Sequence, residues 1–364
     1  MKLKRIGIVI DTLNGGGAEK VCISLAQALN QQGHKADLIV LKKKCDYQVP
    51  SNIRVHFVYS ESDIKLNQSK VKKAAAKRLS DLIAHLEADG EFDLLLSNLD
   101  DCHPVVALAD LPRTKYVVHN SIEQILARTK RLGPLKYWKK LSAVKVLNGK
   151  ELITVSKGLA REIEDAGRIK PKSITPIYNP VDLDLVRSNA QISMPEAEYD
   201  FPYVLHIGRF AKQKRHDVLF AALSLVPEPY KLVLLSNASS KLKKAIAKTG
   251  LAHRIHVVDF QQNPYPWVRN AKALVLSSDF EGLGMVLIEA LACGTPVVST
   301  DCPHGPNEIL TADLAQYLSP VGDAQALAKN INKVLLEPPE ITNPDILQKV
   351  EAEHVARQYI ALTN

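Results

Sequence analysis

The chain has 364 residues, 46% of them hydrophobic and 24% charged, with a formal net charge of +8 and a pI near 9.0. That composition excludes an intrinsically disordered chain, the length favours two domains over one, and the apolar runs at 93–96 and 273–276 are far too short to span a bilayer. Five scattered cysteines (Cys22, Cys45, Cys102, Cys293, Cys302) have neither metal-ligand nor redox spacing and read as free thiols of a reducing compartment.

Residues 1–10 join positive charge to a short apolar stretch, but Asp11 and a glycine cluster follow where a signal peptide would have its cleavage site. The stretch therefore predicts a buried strand over 5–10. Further apolar runs predict strands at 36–41, 53–58, 93–97, 115–118 and 151–155, with helical patterns at 18–32, 70–88, 121–128 and 134–148. A second series of strands is predicted at 202–207, 231–235, 255–258, 272–276 and 295–299, separated by helices near 215–225, 239–249, 284–292 and 323–336. Strand, helix, strand at such spacing predicts parallel sheets with crossover helices. The polar, acidic stretch at 188–200 reads as a linker, and 343–362 as one helix with an apolar side. The expected organisation is α/β, with two Rossmann-like doubly wound domains facing a central cleft: 1–182 for an acceptor, 183–342 for a nucleotide-sugar, and a terminal helix over 343–364 packing back on the first.

Three segments carry candidate chemistry. Asn14-Gly15-Gly16-Gly17-Ala18-Glu19-Lys20 follows the first strand and opens a helix, whose N-terminal N–H groups suit an anion. A dinucleotide fingerprint is the competing reading, since Asp37 follows about 20 residues later, but Lys20 stands where its third glycine belongs. Gly208-Arg209-Phe210-Ala211-Lys212-Gln213-Lys214-Arg215 follows a strand, so that Arg209 can fork onto phosphate oxygens while Lys214 supplies a point charge. The third segment runs from Ser277 through Phe280, Glu281, Gly282, Leu283, Gly284 and Met285 into a helix bearing Glu289. At a rise of about 1.5 Å per residue the two glutamates differ in height by about 12 Å, so both can face one ligand. A carboxylate accepts paired hydrogen bonds from vicinal diols, which suits one glutamate to a hexose and the other to a ribose.

Gly208-Arg209…Lys214, Glu281-x7-Glu289 and Ala292-Cys293-Gly294-Thr295-Pro296-Val297-Val298 resemble the signature of retaining GT-B glycosyltransferases of family 4. The Gly16-Gly17-Ala18-Glu19 loop, the Asn179-Pro180-Val181-Asp182 crossover and the terminal helix match as well, so the resemblance spans essentially the whole chain. It implies that Arg209 and Lys214 bind the donor diphosphate, Glu281 the transferred sugar and Glu289 the ribose. It further implies that Phe280 to Met285, with Gly16 and Gly17, line the donor, and that His119 stands beside the reacting centre. Asn14, Glu19 and Asn120 are the corresponding expectations on the acceptor side.

Glycosyl transfer leaves negative charge on the departing diphosphate, which fixed cations and helix-terminal N–H groups can stabilise. No Asp-x-Asp triplet lies in a loop suited to hold a divalent ion, because Asp182 and Asp184 belong to the crossover. The expectation is therefore chemistry without metal or cofactor, and with retention on the strength of the family. A UDP-hexose or UDP-N-acetylhexosamine is the favoured donor by analogy. The acceptor is expected to be a glycan, lipid-linked or a lipopolysaccharide or polysaccharide precursor. Two basic clusters fall in the first half: Lys65, Lys70, Lys72, Lys73, Lys77 and Arg78, and the acid-free run from Arg128 to Lys150. In the second, Lys136, Tyr137, Trp138, Lys139 and Lys140 read either as a contact with an anionic membrane, on its cytoplasmic face, or as a solvated helix face. The competing functions are a nucleotide-sugar epimerase of similar build and a basic nucleic-acid-binding protein, although no nucleic-acid motif is visible.

Overall fold

Continuous apolar runs, as opposed to alternating ones, mark strands covered on both faces, and every residue of the first strand, Arg5–Ile10, is buried. A computed structural model describes residues 2–66, 68–194 and 199–363, in two units: 1–181 with 350–364, and 182–349.

The first unit runs β1 (Arg5–Ile10), α1 (Gly17–Gln31), β2 (Lys35–Lys42), β3 (Arg54–Tyr59), α2 (Ser69–Leu86), β4 (Leu94–Asn98), α3 (His103–Ala109) and β5 (Thr114–Val118). It continues with α4 (Ile122–Lys130), α5 (Pro134–Val144), β6 (Glu151–Thr154), α6 (Lys157–Ala166) and β7 (Ser173–Pro176). Its seven strands, all parallel, lie in the order β3-β2-β1-β4-β5-β6-β7. One core cluster joins Val9, Ile39, Leu79, Phe92, Leu95 and Val118.

The second unit runs α7 (Leu183–Ala190), β8 (Tyr203–Ile207), α8 (His216–Leu223), β9 (Lys231–Leu235), α9 (Ser240–Ala247), β10 (Ile255–Val258) and α10 (Tyr265–Asn270). After these come β11 (Ala273–Leu276), α11 (Met285–Ala292), β12 (Val297–Thr300), α12 (Pro306–Ile309), β13 (Leu318–Ser319) and α13 (Ala324–Leu336). Six parallel strands take the order β10-β9-β8-β11-β12-β13. Helix α11 stops where Gly294 takes a positive φ of 77°, with its N–H donating to Leu291 and the Thr295 N–H to Ala290. Pro296 then starts the chain towards β12.

Two expectations need correction here. Residues 183–190, partly inside the stretch read as a linker, form α7, capped by the Asp182 carboxylate accepting from the Leu185 N–H; residues 195–198 of that stretch lie outside the described residues. The terminal helix is two helices, α14 (Asp345–Val350) and α15 (Ala352–Ala361). The break has a cause. The Val181 N–H donates to the Val350 carbonyl at 2.7 Å and the Ala352 N–H to the Val181 carbonyl at 3.0 Å, so Glu351 leaves the helical conformation to pair with the first crossing of the chain. Val355, Ala356 and Tyr359 of α15 are buried, and Gln32 at the end of α1 donates to the Glu353 carbonyl.

Candidate active site

In a doubly wound sheet the ligand crevice lies at the carboxyl ends of the strands where the strand order reverses. In the second unit that point falls between β8 and β11, which pair through Val204–Ala273 and Leu205–Leu274. The loops leaving these two strands are the Gly208–Arg215 and Ser277–Gly284 segments. Five polar links bind them together. Lys214 Nζ donates to Glu281 Oε1 at 2.7 Å, Arg215 pairs with Asp279 at 2.8 Å, and the Gln213 amide donates to the Phe280 carbonyl at 2.7 Å. The Asp279 N–H donates to the Gln213 carbonyl at 2.8 Å, and the Ser277 hydroxyl to the Lys214 carbonyl at 2.7 Å. Lys214 reaches across Gly208, where a Cβ would stand 3.3 Å from Lys214 Cε. Arg209 projects into solvent, exposed and in no ion pair among the described residues.

Glu281 is 9% exposed, and its Oε1 also accepts from the Ser278 hydroxyl at 2.6 Å. Its backbone is clamped by the loop after β12: the Glu281 N–H donates to the Pro303 carbonyl at 2.8 Å and the His304 N–H to the Glu281 carbonyl at 3.1 Å. Gly305 makes that approach possible, since a Cβ there would stand 2.0 Å from the Leu283 carbonyl oxygen. Phe280, Gly282, Leu283 and Gly284 are buried in this turn and Met285, half-buried, opens α11. Glu289 is 8% exposed, and its Oε1 accepts the Tyr265 hydroxyl at 3.1 Å. The two predicted carboxylates are thus each held by a polar neighbour, one by Lys214 and Ser278, the other by Tyr265.

In the first unit the predicted residues follow β1 and β5 or lie on α5. Glu19 does not reach outward: its carboxylate lies where a Cβ on Gly16 would stand, 2.1 Å away at its nearest oxygen. That is the N-terminus of α1, a favourable place for negative charge. Gly17 faces open space. The Asn14 amide donates to the Asp46 carboxylate, and the Asn120 side-chain oxygen accepts from the Ser121 N–H at 2.9 Å. Of the five residues of 136–140, Lys136, Trp138 and Lys139 are exposed; Tyr137 packs against the core, and Lys140 is paired with Asp100 at 2.5 Å.

His119, half-buried after β5, is bonded through Nε2 to Asn98 Oδ1 at 2.9 Å. The Asn98 amide nitrogen donates to the Val9 and Leu96 carbonyls, so its oxygen must be the atom facing His119. Nε2 therefore carries the hydrogen and Nδ1 a lone pair. Burial, aided by the neighbouring His103, lowers the His119 pKa to about 3, leaving a neutral imidazole that can accept a hydroxyl hydrogen bond.

Burial lowers three more histidines to a comparable degree: His103 (to about 4), His206 (about 3) and His216 (about 4). All four stay neutral in the folded chain and protonate near pH 6.5 once unfolded, so the unfolded state binds more protons and stability falls as pH drops below about 6.5 towards 4. The expected slope is roughly 1.4 kcal/mol per pH unit for each histidine. Melting curves between pH 7 and 4.5 check it; a melting temperature flat across that interval contradicts it.

Comparison with known proteins matches this architecture. Residues 15–185 fit the family described as Glycosyltransferase Family 4, and residues 190–346 the family described as Glycosyl transferases group 1. A Campylobacter jejuni N-acetylgalactosamine-N,N'-diacetylbacillosaminyl-diphospho-undecaprenol 4-alpha-N-acetylgalactosaminyltransferase is 26% identical over 337 residues, covering 92% of this chain and 90% of its own. A Salmonella typhimurium lipopolysaccharide 1,6-galactosyltransferase is 30% identical over 192 residues, covering 50% of this chain and 52% of its own. Among solved structures, Anabaena HepE in complex with UDP and glucose superposes with a TM-score of 0.75 at 20% identity, covering 98% of each chain.

Proposed function

Because the chain belongs to glycosyltransferase family 4, with the GT-B fold, we propose that it moves a hexose or N-acetylhexosamine from a UDP-sugar to a lipid-linked oligosaccharide or a lipopolysaccharide or polysaccharide precursor. The donor lies on the second unit, its diphosphate against Arg209 and Lys214, its sugar on Glu281 and its ribose on Glu289. The observation that carries this reading is the Lys214–Glu281 pair at the β8–β11 reversal, with Glu289 held by Tyr265. One cation and one carboxylate meet there, suited to a phosphate beside a sugar hydroxyl. The relatives named for undecaprenol-linked and lipopolysaccharide acceptors support the acceptor class, and the UDP bound to HepE supports the base.

Transfer proceeds with retention and without a metal. The acceptor hydroxyl attacks the anomeric carbon from the face the diphosphate leaves, the C–O bond to phosphate breaks, and the hydroxyl proton passes to the departing phosphate oxygen. Arg209 and Lys214 take up the growing negative charge. His119, neutral with its Nδ1 lone pair available, accepts a sugar hydroxyl and orients the ring. The alpha linkage named for the Campylobacter relative is the outcome retention would produce from an α-linked donor. The reaction takes place on the cytoplasmic face of a membrane, with the chain attached peripherally.

A thermal-shift panel of UDP, GDP, ADP, CMP and NAD tests the donor. UDP at 100-fold its dissociation constant should stabilise the fold by about 2.7 kcal/mol. The shift should vanish in Glu289→Ala and shrink in Tyr265→Phe, which frees the carboxylate to swing. Stabilisation by NAD alone, or by a nucleotide that Glu289→Ala leaves unaffected, would refute the assignment.

A further inference from the structure

Helices α4 and α5 pack against each other and are joined by a turn at Arg131–Gly133, with Gly133 at a positive φ of 111° and Pro134 opening α5. The buried side of the pair is ordinary: Ile122 and Leu126 from α4, and Leu141 and Val144 from α5, with Tyr137 packed against the same core. The opposite side is not. Leu132 is 56% exposed, Leu135 86% and Trp138 63%, three large apolar side chains within seven residues at the tip of one hairpin. Leu135 and Trp138, three apart, stand together on a face of α5 that the Tyr137–Leu141–Val144 stripe leaves outward.

Around this apolar tip stand Arg128, Lys130, Arg131, Lys136 and Lys139, all exposed, and none of them in an ion pair among the described residues. The 27 residues 124–150 hold eight cations and no acid. The neighbouring carboxylates are already committed: Asp100 to Lys140 and Glu123 to Arg168. An apolar wedge inside a cationic ring matches an anionic bilayer, whose phosphates meet the ring while its acyl boundary receives the wedge. No helix among the described residues is long and apolar enough to cross a membrane, so the tip would lie in the interface and not through it.

We infer that the α4–α5 tip is a membrane-docking surface, in which Leu132, Leu135 and Trp138 insert between anionic lipids held by Arg128, Lys130, Arg131, Lys136 and Lys139. This deepens the proposed reaction at a membrane and rests on that reading for its purpose, while the vesicle measurement stands apart from catalysis. The chain has two tryptophans, and Trp267 is buried at 3% exposure, so a change in tryptophan emission on docking reports Trp138.

The experiment mixes the full chain with phosphatidylcholine vesicles and with vesicles that also contain phosphatidylglycerol, following co-sedimentation and tryptophan emission. Expected are binding to the anionic vesicles with a blue shift, weakening as salt is raised, and little binding to phosphatidylcholine alone. Leu135→Glu and Trp138→Glu should each lower vesicle affinity at least about tenfold while leaving the melting temperature and the UDP thermal shift unchanged. No binding to anionic vesicles overturns the inference. So does binding without a blue shift, or binding that survives both substitutions, which would assign the contact to another basic surface of the chain. Vesicle binding with no UDP shift would retain the docking surface and reject the donor assignment.

Discussion

Lys214→Ala is expected to lower turnover by about 10²–10³, the usual cost of removing one preorganised charge from a centre where negative charge develops. The effect has two physical parts. The developing charge on the diphosphate loses a fixed cation. Glu281 loses the Nζ at 2.7 Å that now holds its Oε1 and keeps the Ser278 hydroxyl, so the carboxylate proposed to meet the sugar is free to turn. Lys212→Ala supplies the control: it lies in the same short turn, is exposed, and should stay within about twofold of the unaltered chain. Steady-state kinetics with UDP-sugar and a synthetic acceptor measure both. Retention of more than about a tenth of the turnover by Lys214→Ala would remove Lys214 from the reacting centre.

Gly305→Ala should be the most damaging single methyl group in the second unit. Two effects coincide at this position. Its φ of +100° is one that L side chains rarely adopt, and the new Cβ would stand 2.0 Å from a backbone carbonyl oxygen that cannot move alone. The loop at 303–305 must then withdraw from residues 281–283, breaking the bonds between Pro303, His304 and Glu281. A loss of about 3 kcal/mol is expected, or ~6–12 °C of melting temperature for a unit of this size, together with a weakened UDP shift. Gly294→Ala separates the two effects. It shares a positive φ, at 77°, but has nothing within 4 Å of its added Cβ, so it should cost about 1 kcal/mol and leave UDP binding intact. Equal losses in the two variants would mean that backbone conformation, and not crowding by Leu283, decides the cost.

The parallel sheets were legible because doubly covered strands have a simple signature: β1, β8, β9 and β11 are short apolar runs bounded by turn residues. Strands without that signature escaped. β7 is the half-exposed Ser-Ile-Thr-Pro at a sheet edge, and β13 is two residues long. Helix α10 hid behind Pro266, which stands at its second position, where a helix tolerates proline. Charged residues near strand ends were readable from residue type: Arg209, Lys214 and Glu281 lie in loops that follow apolar strands, and Glu289 on the helix after one of them. Their supports were not. Nothing local says that Gln213 reaches the Phe280 carbonyl, that Arg215 crosses to Asp279, or that Tyr265 meets Glu289 from a helix 24 residues earlier. Those pairings are made by the strand order, which a linear pattern does not contain. Glu19 carries a local signal of another kind, since a glutamate three residues after a helix-capping position can fold back on the helix start, and Gly16 is the residue that leaves room for it.

The pairing of Val181 with Val350 and Ala352 has a consequence for how the chain is made. The first unit to begin emerging from the ribosome is the last that can be completed, because the segment covering α1 is α15, almost at the end of the chain. Residues 182–349 form an uninterrupted stretch and can reach their final contacts while the earlier half still waits for its closing helix. Until then the face of α1 that meets α15 lacks its cover, so a chain that stops at residue 349 has every residue of its second unit and an apolar seam in its first. Loss of residues 350–363 is therefore a lesion of the unit built on residues 2–181.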